Sequence, residues 1–139
     1  MSTTVQYPKS TEDMADLISA NLDFCSDWGR DRLLDWVQWF VNNDRYYAIT
    51  VGGKLVGLTL VRMVDTEEQC HEHYKDTEGP ICYIELAISR YPKSLNEMYR
   101  MIWNDWKEVA KRMAWARHKY DNRVTITDMK KVKYRFMGE

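Results

Sequence analysis

The stretch Tyr46-Tyr47-Ala48-Ile49-Thr50-Val51-Gly52-Gly53-Lys54-Leu55-Val56-Gly57-Leu58-Thr59-Leu60-Val61-Arg62-Met63-Val64 decides the fold. It contains two runs rich in β-branched, aromatic and aliphatic residues, 46–51 and 54–64, with two residues between them. Both of those are glycine, which reaches positive φ without a steric penalty, and a two-residue primed turn requires that freedom. The stretch reads as an antiparallel β-hairpin turning at Gly52-Gly53.

Beyond the hairpin, 65–79 is acidic, polar and Gly-terminated, as a loop or the frayed end of a strand is. Ile81-Cys82-Tyr83-Ile84-Glu85-Leu86-Ala87-Ile88 follows, a nearly continuous apolar run of strand length. Such a run suits a central strand covered on both faces, which makes Glu85 conspicuous, and it is expected beside 54–64. Pro92 and then Ser94-Leu95-Asn96-Glu97 predict a capping box with Ser94 at the N-cap. Met98, Met101, Ile102, Trp106, Val109 and Met113 mark one face of a helix reaching to about Arg112. Trp103 and Trp106 lie on neighbouring faces of it, and one of them is a candidate contact for a protein partner. A short strand is expected over 115–118, a small helix through Ile126, Met129, Lys130 and Val132, and a closing strand at 134–137. The strand–helix–strand passage implies a parallel pair.

Before the hairpin, Ser10 reads as the N-cap of a helix with Glu12 and Asp13 in its first turn, where the helix dipole favours acids. Met14, Leu17, Ile18 and Leu22 supply its apolar stripe. A second helix is expected from about Asp31 to Val41, ended by Asn42-Asn43-Asp44. A first strand is expected at 3–7. The whole predicts an α/β (α+β) domain: one unit over residues 1–139, with a mixed central β-sheet flanked by helices.

Composition narrows the function. Lys+Arg 20 against Asp+Glu 21 leaves a net charge of −1, which gives no electrostatic basis for nucleic-acid or anionic-membrane binding. No run approaches the roughly 18 apolar residues of a membrane span, and the first residues lack the features of a signal peptide. Three widely spaced cysteines (25, 70 and 82) fit reduced thiols, so the cytosol of a cell or of an infected host is the expected location. Cys70-His71-Glu72-His73 suggests metal chemistry, but His118 is the one remaining histidine, and no metal is expected.

Three of these segments carry a resemblance. Gly52-Gly53-Lys54-Leu55-Val56-Gly57 resembles the hairpin into the third strand of the GNAT superfamily, acetyl-CoA-dependent N-acetyltransferases. Ile84-Glu85-Leu86-Ala87-Ile88, running directly into a loop and a long helix, resembles the strand that follows. Asn122 with Ile126, Met129 and Val132 is similar to the family's Asn at the end of the fifth strand and the short helix behind it. The Asn-then-Ile spacing is also similar to divergent acetyltransferase-like proteins encoded by tailed bacteriophages. The resemblance implies an acyl-CoA N-acyltransferase-like fold, acetyl-CoA as cofactor and a small-molecule or protein amine as acceptor.

By the same resemblance, Glu85 is the candidate catalytic base. Ala87, Ile88, Arg90, Lys93, Ser94 and Asn122 are the candidate cofactor-binding residues. The family's phosphate loop, Gln/Arg-x-x-Gly-x-Gly/Ala, corresponds to Arg90-Tyr91-Pro92-Lys93-Ser94-Leu95. Lys93 and Leu95 stand at its glycines, and Pro92 removes one backbone donor. Met129 stands where the family keeps its catalytic Tyr, and Lys133 where it keeps a Gly. Two readings follow: an acetyl-CoA-dependent N-acyltransferase, or a catalytically silent binding or structural module of the same fold, for instance in a phage virion or against a host protein.

Overall fold

The computed structural model describes residues 11–22, 27–117 and 123–132. The expected N-cap at Ser10, the strands at 3–7 and 134–137, Cys25, His118, Asn122 and Lys133 lie outside the described residues.

Helix α1 is Thr11–Asn21 and α2 is Arg30–Asn42. They bury Met14, Ala15 and Ile18 against Leu33, Trp36, Val37 and Phe40. Thr11 Oγ1 donates to Gln38 Oε1 at 2.6 Å across the pair. The expected stop of α2 has a clear mechanism. Asp44 takes φ 54°, while the Asp44 and Arg45 amides donate to Val41 O and Phe40 O. This is a left-handed helix stop that a short polar residue can adopt.

The hairpin forms as read. Strands β1 (Tyr46–Val51) and β2 (Lys54–Val64) pair antiparallel down to Val51↔Lys54, with Gly52 and Gly53 at φ 59° and 79°. Strand β3 (Ile81–Ser89) pairs antiparallel with β2, and helix α3 (Ser94–Trp106) crosses over to β4 (Arg112–Arg117), parallel to β3. Strand β5 (Arg123–Asp128) pairs antiparallel with β4, giving a mixed sheet in the order β1-β2-β3-β4-β5. Helices α1 and α2 cover one face through Ala48, Leu58, Leu60, Leu86 and Ile88. Helix α3 covers the other through Ile49, Val61, Met63, Cys82 and Ile84, joined by Met98 and Ile102.

Three boundaries differ from the sequence reading. Helix α3 stops at Trp106, not near Arg112, because Ala110 and Met113 leave the helix and enter the core from the turn and from β4. Strand β4 therefore starts at Arg112, ahead of the expected 115–118. Ile126 belongs to β5, and the described helix starts at 129, with Met129 and Val132 buried. The 65–79 segment is the expected loop, with a 3-10 turn at Glu68–His71.

Candidate functional site

The site is built where β3 breaks its regular pairing on both edges. On the β2 side Leu60 pairs with Leu86 and Val61 with Ile84, so Glu85 is the extra residue of a β-bulge. A bulge bends the strand and re-aims the side chain it carries. On the β4 side the parallel ladder runs only from Ile81↔Arg112 to Ile84↔Trp115. From Leu86 to Ser89 the β3 backbone has no ladder partner in β4 among the described residues, and the described ladder ends at Ile84, just before the bulge. Ala87 and Ile88 lie on this free stretch. Ala87 is exposed, and Ile88 is buried by its side chain against α1 and α2. What each offers the opening is its backbone.

The free stretch leads into the α3 N-terminus. Arg90 N donates to Val56 O at 2.7 Å, and Arg90 Nη1 to Asn21 Oδ1 at 3.0 Å, which ties the loop to β2 and to the end of α1. The N-cap of α3 is Lys93, in the left-handed conformation with φ 68°, and no side chain caps the helix. The expected capping box does not form. The reason is that Ser94 is inside the helix and buried; its Oγ donates to Tyr91 O at 2.7 Å and meets Ser89 Oγ. Ser94 N donates to Tyr91 O and Glu97 N to Lys93 O. Among the described residues, the amides of Leu95 and Asn96 are therefore the open donors of the first turn.

Lys93 sits where the family pattern has a glycine, and its backbone adopts the left-handed turn that a glycine favours. Leu95 turns its side chain toward the core, so a residue larger than glycine there leaves its own amide open. Residues 89–93 line an open depression of about 470 Å³. Exposed Lys93 and Arg90, a helix dipole and open amides fit a diphosphate. In this respect the residues present suit coenzyme A.

Glu85 has a different setting from the solitary strand carboxylate the sequence suggests. Arg62 Nε donates to Glu85 Oε2 at 2.9 Å, and the Arg62 side chain is 2% exposed against 14% for Glu85. Among the described residues Oε1 carries no hydrogen bond. The remaining Arg62 donors go to backbone carbonyls of the 69–75 turn. Sequence reasoning missed Arg62, though the signal was there: a cation inside an apolar strand, opposite in sign to the one charge in the next strand.

The sites that the sequence suggested elsewhere do not assemble. Cys70 is buried with its Sγ 3.9 Å from Thr66 O, while His71 and His73 are exposed. No group of three potential metal ligands occurs among the described residues. Met129 is 3% exposed and packed in the core with Val132. Trp106 is half-buried, its Nε1 donating to Tyr47 Oη at 2.8 Å, and Tyr47 donates to Asp105 Oδ2 at 2.9 Å. Burial, reinforced by Asp105, pushes the Tyr47 hydroxyl far above its ordinary range, so it stays protonated. No described helix is long and apolar enough to cross a membrane.

No family profile matches the sequence, and no curated protein is similar to it in sequence. Solved structures are similar in fold. The loading GNATL domain of CurA from Lyngbya majuscula superposes with a TM-score of 0.64 at 9% identity, covering 87% of this chain and 69% of that one. A putative acetyltransferase from Pyrococcus horikoshii gives 0.60 at 12% identity, covering 86% of this chain, which spans only 40% of that protein. Aminoglycoside 6'-acetyltransferase type Ii gives 0.51 at 13% identity, covering 99% and 80% of the two chains. The chain has the acyl-CoA N-acyltransferase-like fold, with the expected mixed sheet, five-stranded among the described residues, and flanking helices.

Proposed function

We propose that this protein binds acetyl-CoA and transfers its acyl group to an amine. The observation that carries the reading is the continuity of three features: the end of the described β3–β4 ladder at Ile84, the left-handed turn at Lys93, and the open amides of Leu95 and Asn96. When bound, acetyl-CoA supplies an activated acyl thioester. The chain's own part is to hold and orient. Lys93, Arg90 and the first-turn amides hold the diphosphate by charge and hydrogen bonding. Ala87 and Ile88 offer main-chain groups along the opening. Asn122, which lies outside the described residues, is assigned to the same cofactor by the family resemblance alone. Glu85, re-aimed by the bulge, receives at Oε1 the proton that the amine sheds, directly or through water.

A second reading, a silent module of the same fold used for binding or structure, is favoured by Met129. A thioether packed in the core stands where the acid of the reaction is otherwise expected, and it cannot donate a proton. A virion or host-interaction role belongs to this reading, as cytosolic catalysis does to the first.

Turnover of acetyl-CoA by the wild type separates the two, and Glu85→Gln tests the base. In the enzyme it lowers acetyl-CoA turnover by about 10²–10⁴-fold, the usual loss for a general base, with cofactor binding retained. If the substitution lowers only the melting temperature while turnover persists, Glu85 is a structural partner of Arg62 and leaves the mechanism.

A further inference from the structure

Arg62 is a fully buried charge, flanked in β2 by Val61 and Met63. Each of its three guanidinium nitrogens donates. Nε goes to Glu85 Oε2 at 2.9 Å and Nη2 to Cys70 O at 2.6 Å. Nη1 reaches Glu72 O at 2.8 Å and the Gln69 and Lys75 oxygens at 3.2 Å. The ring of Tyr83 lies 5.0 Å away. All its hydrogen bonds therefore go to one of two places: the bulge residue of β3, or the main chain of one turn. Among the described residues, no other hydrogen bond joins Glu85 to that turn.

Stability alone is a poor reason for such a residue. Desolvating a guanidinium offsets much of what its ion pair contributes, and apolar replacements of buried pairs are often as stable. What a planar five-donor fork supplies is definition of geometry. The loop is also anchored at Asp76, whose Oδ2 meets Nε of Arg45, the residue before β1, at 2.7 Å and accepts from the Met63 amide of β2 at 3.0 Å. So held, the turn keeps Tyr74 at φ 59°, 48% exposed, with its ring 5.6 Å from that of Trp39 on α2. A long loop fixed this firmly, with a strained aromatic residue facing outward, is a pre-ordered surface.

We propose that Arg62 is a positioning residue: it orients Glu85 through Oε2 and, with the same guanidinium, sets the 69–75 turn as the acceptor-side wall of the site. The assignment of the wall to an amine acceptor rests on the acyl-transfer reading; the coupling of Glu85 to the turn does not. Any acceptor that moves the turn then moves the carboxylate as well.

Amide hydrogen exchange on the full chain tests the coupling with Glu85→Gln, Arg62→Lys and the double variant. Glu85→Gln is expected to speed exchange in 69–75 by about tenfold, although Glu85 bonds none of those residues, because one charge-assisted bond to Arg62 is weakened. The double variant should be no looser than Arg62→Lys alone, since both act along one path. Wild-type exchange in 69–75 for Glu85→Gln, or additive effects, overturns the coupling. In turnover of acetyl-CoA with hydroxylamine as the amine probe, Arg62→Lys should lower kcat and leave the KM for acetyl-CoA unchanged. An unchanged kcat overturns the positioning role. Absence of acetyl-CoA binding to the wild type would instead sink the acyl-transfer reading, with the exchange result still deciding the coupling.

Discussion

Gly57 on β2 and Ser94 at the start of α3 face each other with no space between them: a β-carbon built on Gly57 would lie 3.4 Å from Ser94 Cβ and 3.2 Å from Met98 Cε. The height of the α3 N-terminus above the sheet, and so the position of the Leu95 and Asn96 amides, is set by this glycine. Alanine asks only that the flexible end of Met98 give way, whereas leucine must lift the helix. Gly57→Leu is expected to destabilise by about 1–3 kcal/mol, as overpacking does, and to weaken acetyl-CoA binding more than Gly57→Ala. Thermal melts and titration of both variants check this; equal affinity in the two would detach the amides from the site.

Lys93 makes a second test of the same loop. A non-glycine residue in the left-handed region costs about 1–2 kcal/mol. Lys93→Gly is therefore expected to raise the melting temperature by about 3–5 °C while weakening acetyl-CoA binding through loss of the charge. A melting temperature that falls would mean the lysine side chain makes a stabilising contact not seen in the structure.

Asp76 governs the acid limit of the 65–79 loop. Burial alone would raise its pKa, but the hydrogen bond from Arg45 and those from the Met63 and Glu78 amides outweigh it, and the carboxyl titrates below the ordinary value of 3.8. A carboxyl whose folded pKa is lowered adds stability that is fully present above its unfolded pKa and is lost as pH falls through the folded one. Wild-type stability should drop on acidification below about pH 4. Asp76→Asn should be less stable at pH 7 and flatter in that range. Parallel acid profiles for the two proteins would remove Asp76 from the loop's anchorage.

Much of this architecture is legible in the chain. The Gly52-Gly53 turn, the buried run 81–88 and the apolar spacing of α1 and α2 are local signals, and each element formed where its residues placed it. The boundaries that moved depend on tertiary contacts. Ala110 and Met113 continue a helical spacing past Trp106, but burial against the sheet wins over propensity there. Ser94 has the side chain of a cap, yet its buried Oγ is spent on Tyr91 O and the cap falls to Lys93. Glu85 stood out at once; its partner did not, because only the register of two strands brings Arg62 beside it.

The central claim is that the opening past Ile84 and the α3 N-terminus bind coenzyme A. Calorimetric titration of the wild-type chain and of Lys93→Glu with acetyl-CoA, at low and high salt, tests it most directly. The expected result is saturable one-site binding that weakens with salt, since charge helps hold the diphosphate, and weakens further in Lys93→Glu, where a like charge faces it. No saturable heat from the wild type at about 1 mM acetyl-CoA, a level that would register even weak binding, would contradict the account.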